Sequence, residues 1–181
     1  RARKKTSSHA FKTDVLSKTA LANSSKNIVR GDTMYGKYDV GIFPMVGDLL
    51  HVGHITALEE AKLHCNTLIV ALNCNPCDNE KKHKPIESVY ERYRRVASLA
   101  CVDRVIPYEG EDDLLLLLQT THYDCRFVGE DHKYSEWTGR MYERKNNIVP
   151  VIIGRAHSES STSLRKRVYE AEYNEAIIKR V

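Results

Sequence analysis

Short apolar runs that alternate with stretches of helical period constrain this chain more than any other feature. Tyr38–Phe43 (YDVGIF), Thr67–Leu72 (TLIVAL), Val102–Pro107, Arg126–Val128 and Ile148–Ile153 (IVPVII) each read as a strand. They are short and rich in β-branched residues, as buried strands are. Between them, His54–Cys65 sets Ile55, Leu58, Ala61 and Cys65 on one helical face. Glu87–Ala100 does the same with Val89, Tyr93, Val96, Ala97 and Ala100. Asp112 or Asp113 is expected to cap a helix over Leu114–Thr121. Ser161 is expected to cap a last helix to about Lys179, with Leu164, Val168, Ala171 and Ile178 inward. This order predicts an α/β fold: a Rossmann-like parallel sheet flanked by helices on both faces. In such sheets ligands bind beyond the C-terminal strand ends. Apolar runs such as Leu114–Leu118 fall far short of the ~20 residues of a membrane-spanning helix.

Charge divides the chain in two. Of 181 residues, 28 are Lys or Arg and 24 are Asp or Glu, a formal net charge of +4. Residues 1–31 hold eight of the basic residues and one acid, Asp14, so that segment is +7. The remainder carries 20 basic and 23 acidic residues, which excludes a basic nucleic-acid-binding domain. Residues 1–33 therefore read as a basic, low-complexity tail, and 34–181 as the folded domain. The tail is open to three readings: a flexible extension, the remnant of an organelle presequence, or an arm that docks on a partner. The expected compartment is cytoplasmic, or mitochondrial if the tail is a presequence.

Five cysteines, an odd number in a chain of this length, do not suggest a secreted disulfide framework and point to a reducing compartment. Cys74 and Cys77 form one C-x-x-C pair without the second pair that zinc sites show, and no metal role is assigned to them.

Chemistry concentrates just after the first strand, in Asp48-Leu49-Leu50-His51-Val52-Gly53-His54. A glycine there lets the backbone approach a ligand and is expected to take unusual φ/ψ. The helix that follows offers unpaired N–H groups and a positive dipole end to an anion. Two imidazoles flanking that spot can donate to phosphate oxygens and stabilise developing charge.

These residues resemble the HxGH signature of the nucleotidyltransferase superfamily, and of its cytidylyltransferases in particular. Cys101–Pro107 (CVDRVIP) resembles the Y-V-D-E-V-I-P strand of glycerol-3-phosphate cytidylyltransferases, and Val128–Asp131 their M-G-D-D strand end. Arg155–Ser163 resembles their R-T-x-G-I-S-T-T block, with one residue inserted. The likeness runs from about Tyr38 to Val168. It implies a HUP-type nucleotidyltransferase domain that joins a nucleoside triphosphate, CTP, to a small phosphomonoester of glycerol-3-phosphate type and releases pyrophosphate.

The resemblance assigns roles by position. His51, His54 and Lys84 would be catalytic, stabilising the transition state. Lys81, Lys82, Arg155, Ser161 and Thr162 would hold the phosphates, and Asp131 would contact the base. Mg²⁺ would accompany CTP. Asp48 would organise the turn. The family's habit of dimerising implies a homodimer, with docking into a larger assembly through the tail as the other arrangement. On their own, the Glu80–Lys84 loop would read as solvated charge and Ser160–Ser163 as a helix cap. No metal-ligating set is expected in the protein.

Departures from the pattern support rival readings. Met45 stands where the family has glycine, Val46 where it has threonine, Gly47 where it has phenylalanine, and Ala100 and Ala156 where it has arginine and threonine. A bulky Met45 would crowd the triphosphate loop, which implies a catalytically inactive subunit. The run Ser160–Arg165 (SSTSLR) also resembles the S-S-T-x-[IL]-R block of nicotinamide-mononucleotide and pantetheine-phosphate adenylyltransferases, which implies ATP instead.

Overall fold

The computed structural model describes residues 36–76, 84–132, 134–154 and 159–178, with side chains to Tyr173 in the last segment. The basic tail, Cys77, Lys81, Lys82, Arg155 and Ala156 lie outside the described residues.

The strands are β1 (Tyr38–Met45), β2 (Cys65–Asn73), β3 (Arg104–Tyr108), β4 (Cys125–Gly129) and β5 (Val149–Ile153). The helices are α1 (Val52–His64), α2 (Val89–Ala97), α3 (Glu111–Thr120), α4 (Arg140–Lys145) and α5 (Ser161–Ile178). The strands form one sheet in the order β3-β2-β1-β4-β5, and every pairing is parallel. The chain winds outward from β1 to one edge, then returns to β4 and winds to the other. The loops after β1 and β4 therefore diverge and open a crevice between them, the switch point where such sheets bind ligands.

Two apolar clusters cover the two faces. Leu58, Ala61, Leu68, Val70, Leu72, Val96 and Phe127 pack on one side. Ile42, Ile69, Ala71, Tyr108, Leu114 and Leu118 pack on the other. The alternation along Leu68–Leu72 shows why β2 reads as an unbroken apolar run: its successive residues face opposite cores.

The sequence expectations held for the order of the elements and failed at several edges and faces. Cys65 is not on the first helix; it opens β2 directly, with no loop between. The second helix starts at Val89 behind a Ser88–Glu91 capping box. Its buried residues are Arg92 and Val96, whereas Val89, Tyr93, Ala97 and Ala100 are exposed. Neither Asp112 nor Asp113 caps α3: Gly110 is its N-cap, and the Asp113 carboxylate accepts the Glu109 N–H at 2.9 Å. On α5, Leu164 is half-buried, while Val168 and Ala171 face solvent. The short α4 was not foreseen. It is held by Glu143, which is buried and accepts from Arg126 at 2.9 Å and from the Trp137 indole at 2.9 Å. Trp137 thus has a packing role, with Arg140 stacked 4.5 Å over its ring.

Gly41, where β1 meets β4, is needed for space. A Cβ there would lie 2.3 Å from the ring of Phe127, which is itself fully buried. Gly41→Ala is expected to destabilise the domain by about 1–3 kcal/mol through overpacking. Thermal unfolding of the variant checks this; an unchanged Tm would mean that the Phe127 ring yields freely.

Candidate nucleotide-binding site

The site is built on the turn after β1. Gly47 (φ 68°) and Leu49 (φ 49°) both take left-handed backbone, and Asp48 sits between them. For a leucine this conformation is strained and must be held from outside. Two acids hold it. Glu87 accepts the Leu49 N–H at 2.7 Å. Asp48 is buried, and its Oδ1 accepts the N–H groups of Ile86 and Glu87, each at 3.0 Å. Its Oδ2 accepts from the Arg165 guanidinium. Burial works to raise the Asp48 carboxyl, and the Glu87 N–H, Arg165 and the Ile86 N–H outweigh it, leaving the group below the ordinary 3.8.

His51 follows as the N-cap of α1. Its Nδ1 accepts the Gly53 N–H at 3.1 Å, so the ring's own N–H lies on Nε2. His54, one turn into the helix, stacks on His51 with centroids 4.0 Å apart and planes inclined by 25°. The His54 Nδ1 is buried without a hydrogen-bond partner. Burial, then the neighbouring His51, push the His54 pKa down to about 4, with Asp48 pulling the other way. Near neutral pH His54 is therefore an uncharged ring.

Gly53 is required for a reason other than the one its motif suggests. Its φ is not positive; it lies within α1. A Cβ on it would meet the His51 ring at 3.0 Å and the Glu159 carbonyl at 3.1 Å. The glycine permits the start of α1 and the segment before α5 to touch.

That contact brings a second helix N-terminus to the first. Ser160, not Ser161, is the cap of α5. Its hydroxyl accepts the Ser163 N–H at 3.1 Å, and its carbonyl accepts the Leu164 N–H at 3.0 Å. Ser161 begins the helix, and its hydroxyl donates to the Asp48 carbonyl at 2.9 Å. Thr162 is exposed beside it. Two positive helix ends thus converge beside the histidine pair, an arrangement suited to a polyanion.

The other candidates fall around this centre. Lys84 is exposed, and its carbonyl accepts from Arg165 at 3.3 Å. Asp131 lies on a single 3-10 turn (Glu130–His132) at the C-terminal end of β4, the far wall of the crevice. Its carboxylate folds back on Gly129, where a Cβ would come within 2.6 Å. Met45, the last residue of β1, is half-buried against the Leu72 and Val96 cluster, and its methyl end lies 3.9 Å from where a Cβ on Gly47 of the turn would stand.

Sequence reasoning missed Arg92. Its side chain is 1% exposed. It donates to the carbonyls of Val46 at 2.7 Å, Asn73 at 2.6 Å and Cys74 at 3.0 Å. It therefore ties the ends of β1 and β2 to α2 and fixes the backbone of the turn. The available signal was its spacing from Val96, one helical turn away. Arg165 closes the SSTSLR run, but nothing local joined it to Asp48, and Glu87 had no local signal.

The His54 environment predicts a pH dependence. An ordinary histidine takes its proton near 6.5, and folded His54 only near 4. Across that window the unfolded chain binds the extra proton, so stability falls as pH drops. The loss is about 3 kcal/mol at the acid end. Asp48, held below 3.8, adds its own loss mainly below about pH 4 and only slightly at the acid edge of the window. Thermal melts between pH 4 and 7 are expected to fall less steeply for His54→Gln than for wild type. Parallel curves would show that His54 titrates normally.

The cytidylyltransferase-like family matches residues 42–167, which contain all of β1 to β5 except the first residues of β1. The bifunctional protein HldE of Koribacter versatilis is 35% identical over 118 residues, 59% of this chain and 23% of that protein. HldE of Syntrophotalea carbinolica is 29% identical over 171 residues, 90% of this chain and 33% of that protein. The chain thus spans a third or less of the length of these two relatives. Among solved structures, the lipopolysaccharide core biosynthesis protein of Thermoplasma volcanium superposes with a TM-score of 0.54 at 24% identity, over 67% of this chain and 99% of that one. That likeness concerns the fold, and it is the same Rossmann-like sheet with flanking helices. With the family matched along most of the chain and its fold in place, this protein belongs to the cytidylyltransferase-like family of nucleotidyltransferases.

Proposed function

We propose that this domain transfers a nucleotidyl group from CTP to a small phosphomonoester of glycerol-3-phosphate type and releases pyrophosphate. The observation that carries the reading is the meeting of two helix N-termini at the His51–His54 pair.

In this reading an oxygen of the acceptor phosphate attacks the α-phosphorus in line. The new P–O bond forms as the bond to pyrophosphate breaks, and no covalent intermediate on the protein is required. His51 donates from Nε2 to a phosphate oxygen, and the uncharged His54 lies stacked behind it. Lys84, with Lys81, Lys82 and Arg155, would neutralise the triphosphate. Ser161 and Thr162 would serve mainly through their N–H groups, because the Ser161 hydroxyl already donates to Asp48. Asp131 would accept from the base.

A divalent ion such as Mg²⁺ would neutralise phosphate charge when bound. The donor set here fits an ion carried by the triphosphate, since both Asp48 oxygens are engaged and no acidic or histidine–cysteine cluster for a metal occurs among the described residues. A homodimer or a larger assembly docked through the tail is the expected setting. No described helix is long and apolar enough to cross a membrane.

A second reading uses ATP. The Ser160–Arg165 run that resembles adenylyltransferases folds as a complete cap, with Arg165 reaching back to the β1 turn.

Calorimetry with CTP and ATP in the presence of Mg²⁺, on wild type and His51→Ala, separates these readings. CTP is expected to bind in the micromolar range, and the loss of one charge-assisted donor is expected to weaken it by about 10-fold or more. A preference for ATP would move the assignment to adenylyl transfer. Failure to bind either would leave the fold as a scaffold.

A further inference from the structure

Three segments far apart in sequence carry the groups assigned to the phosphates: the 46–51 turn, the 84–87 loop and the start of α5. One ion pair touches all three. Asp48 accepts from Ile86 and Glu87 of the loop and from Arg165 of α5, and its carbonyl accepts from Ser161. Arg165 also reaches the Lys84 carbonyl. The strained Leu49 stands next in the chain, and His51 two residues beyond it.

We propose that Asp48 and Arg165 form a positioning clamp that sets the spacing of Lys84 and the α5 N-terminus about the histidine pair, with Arg165 acting through Asp48 and not on phosphate. This rests on the nucleotidyl-transfer reading for its kinetic consequence, though not for its structural one.

The alternative has an appealing logic. An arginine in the second turn from a phosphate-holding helix end could be a direct phosphate ligand. The geometry argues against it. Arg165 gives Nη2 both to the Asp48 carboxylate, on a side chain that is 6% exposed, and to a carbonyl of the adjoining loop, and its Nε, though without a partner, is buried out of reach of a ligand in the solvent of the crevice. A buried carboxylate deprived of its cationic partner is costly, so the pair resists exchange for a transient ligand.

The two roles differ in how paired variants behave. For a clamp, Asp48→Asn and Arg165→Gln each raise the nucleotide KM by about 10-fold with kcat little changed, and the double variant is no worse than either alone. For a phosphate ligand, Arg165→Gln alone raises KM, Asp48→Asn leaves it unchanged or lowers it, and the double variant matches Arg165→Gln. Arg165→Lys keeps a charged donor, and one ammonium nitrogen can serve both Asp48 and the Lys84 carbonyl as Nη2 does, so the clamp predicts at least partial rescue by lysine and none by glutamine. Lys166→Gln, whose partner Glu170 is on the same exposed helix face, serves as the control and should leave KM unchanged.

Hydrogen exchange supplies a readout that needs no nucleotide. With the clamp broken by Arg165→Gln, amides of Ile86, Glu87 and Leu49 are expected to lose protection together with those of the first turn of α5, while β2 keeps its protection. If the wild type binds no nucleotide but exchange changes in this coupled way, the functional reading fails and the clamp stands. If exchange in the 84–87 loop does not respond to Arg165→Gln, the clamp is overturned whatever the kinetics. Should Asp48→Asn not fold, Arg165→Gln and Arg165→Lys decide the question, since Arg165 is partly exposed.

Discussion

The site depends on one buried carboxylate in one strained turn. Asp48 stands between two left-handed residues, at the point where β1 must stop, reverse its direction and start α1 with His51 in the capping position. A leucine does not adopt that backbone unaided. Five hydrogen bonds hold the turn: two N–H groups and a guanidinium on the Asp48 side chain, a hydroxyl on its carbonyl, and the Leu49 N–H on Glu87. The same bonds draw two other segments to it. Placement of the histidines and assembly of the surrounding walls are therefore one event.

The parallel sheet supplies the frame for that event. Because β1 is central, the turn after it has neighbours on both sides: β2 with Arg92 and the 84–87 loop, and β4 with Asp131. Arg92 shows how the frame tolerates a buried cation. Its partners are strand-end and loop carbonyls, whose negative dipole ends gather at the C-terminal edge of a parallel sheet. That cation adds positive potential beneath the turn while fixing its backbone. The protein thus surrounds the crevice with fixed positive groups: two helix ends and a buried guanidinium. Fixed dipoles of this kind need no reorganisation when charge builds up on a phosphate.

Substitutions within a motif have to be judged by where their side chains go. Met45 looks disabling because it replaces the glycine of the family pattern. At the last position of β1 the strand alternation turns it toward the Leu72 and Val96 cluster, with its methyl end beside Gly47 of the turn. What is lost at Val46 is a hydroxyl; its backbone carbonyl still anchors Arg92.

The sequence by itself determined the order of the five strands and of every helix but the short α4, because buried parallel strands must be apolar on both faces and this leaves short, legible runs. It also singled out the His51–Gly53–His54 stretch as a candidate site, where a cap and a stacked pair fall within four residues. It misjudged α2 and α5 because periodicity marks a helix's apolar residues without saying what covers them. Arg92 is charged yet buried, since three carbonyls receive it, and Val168 is apolar yet exposed, since no described element packs over it. Only the tertiary structure decided that Asp48 meets Arg165, 117 positions away, and that Gly53 is needed for contact with Glu159 and not for its dihedral angles. A hydrogen bond across such a distance in sequence leaves no trace in spacing or composition, because it is the sheet that brings the partners together.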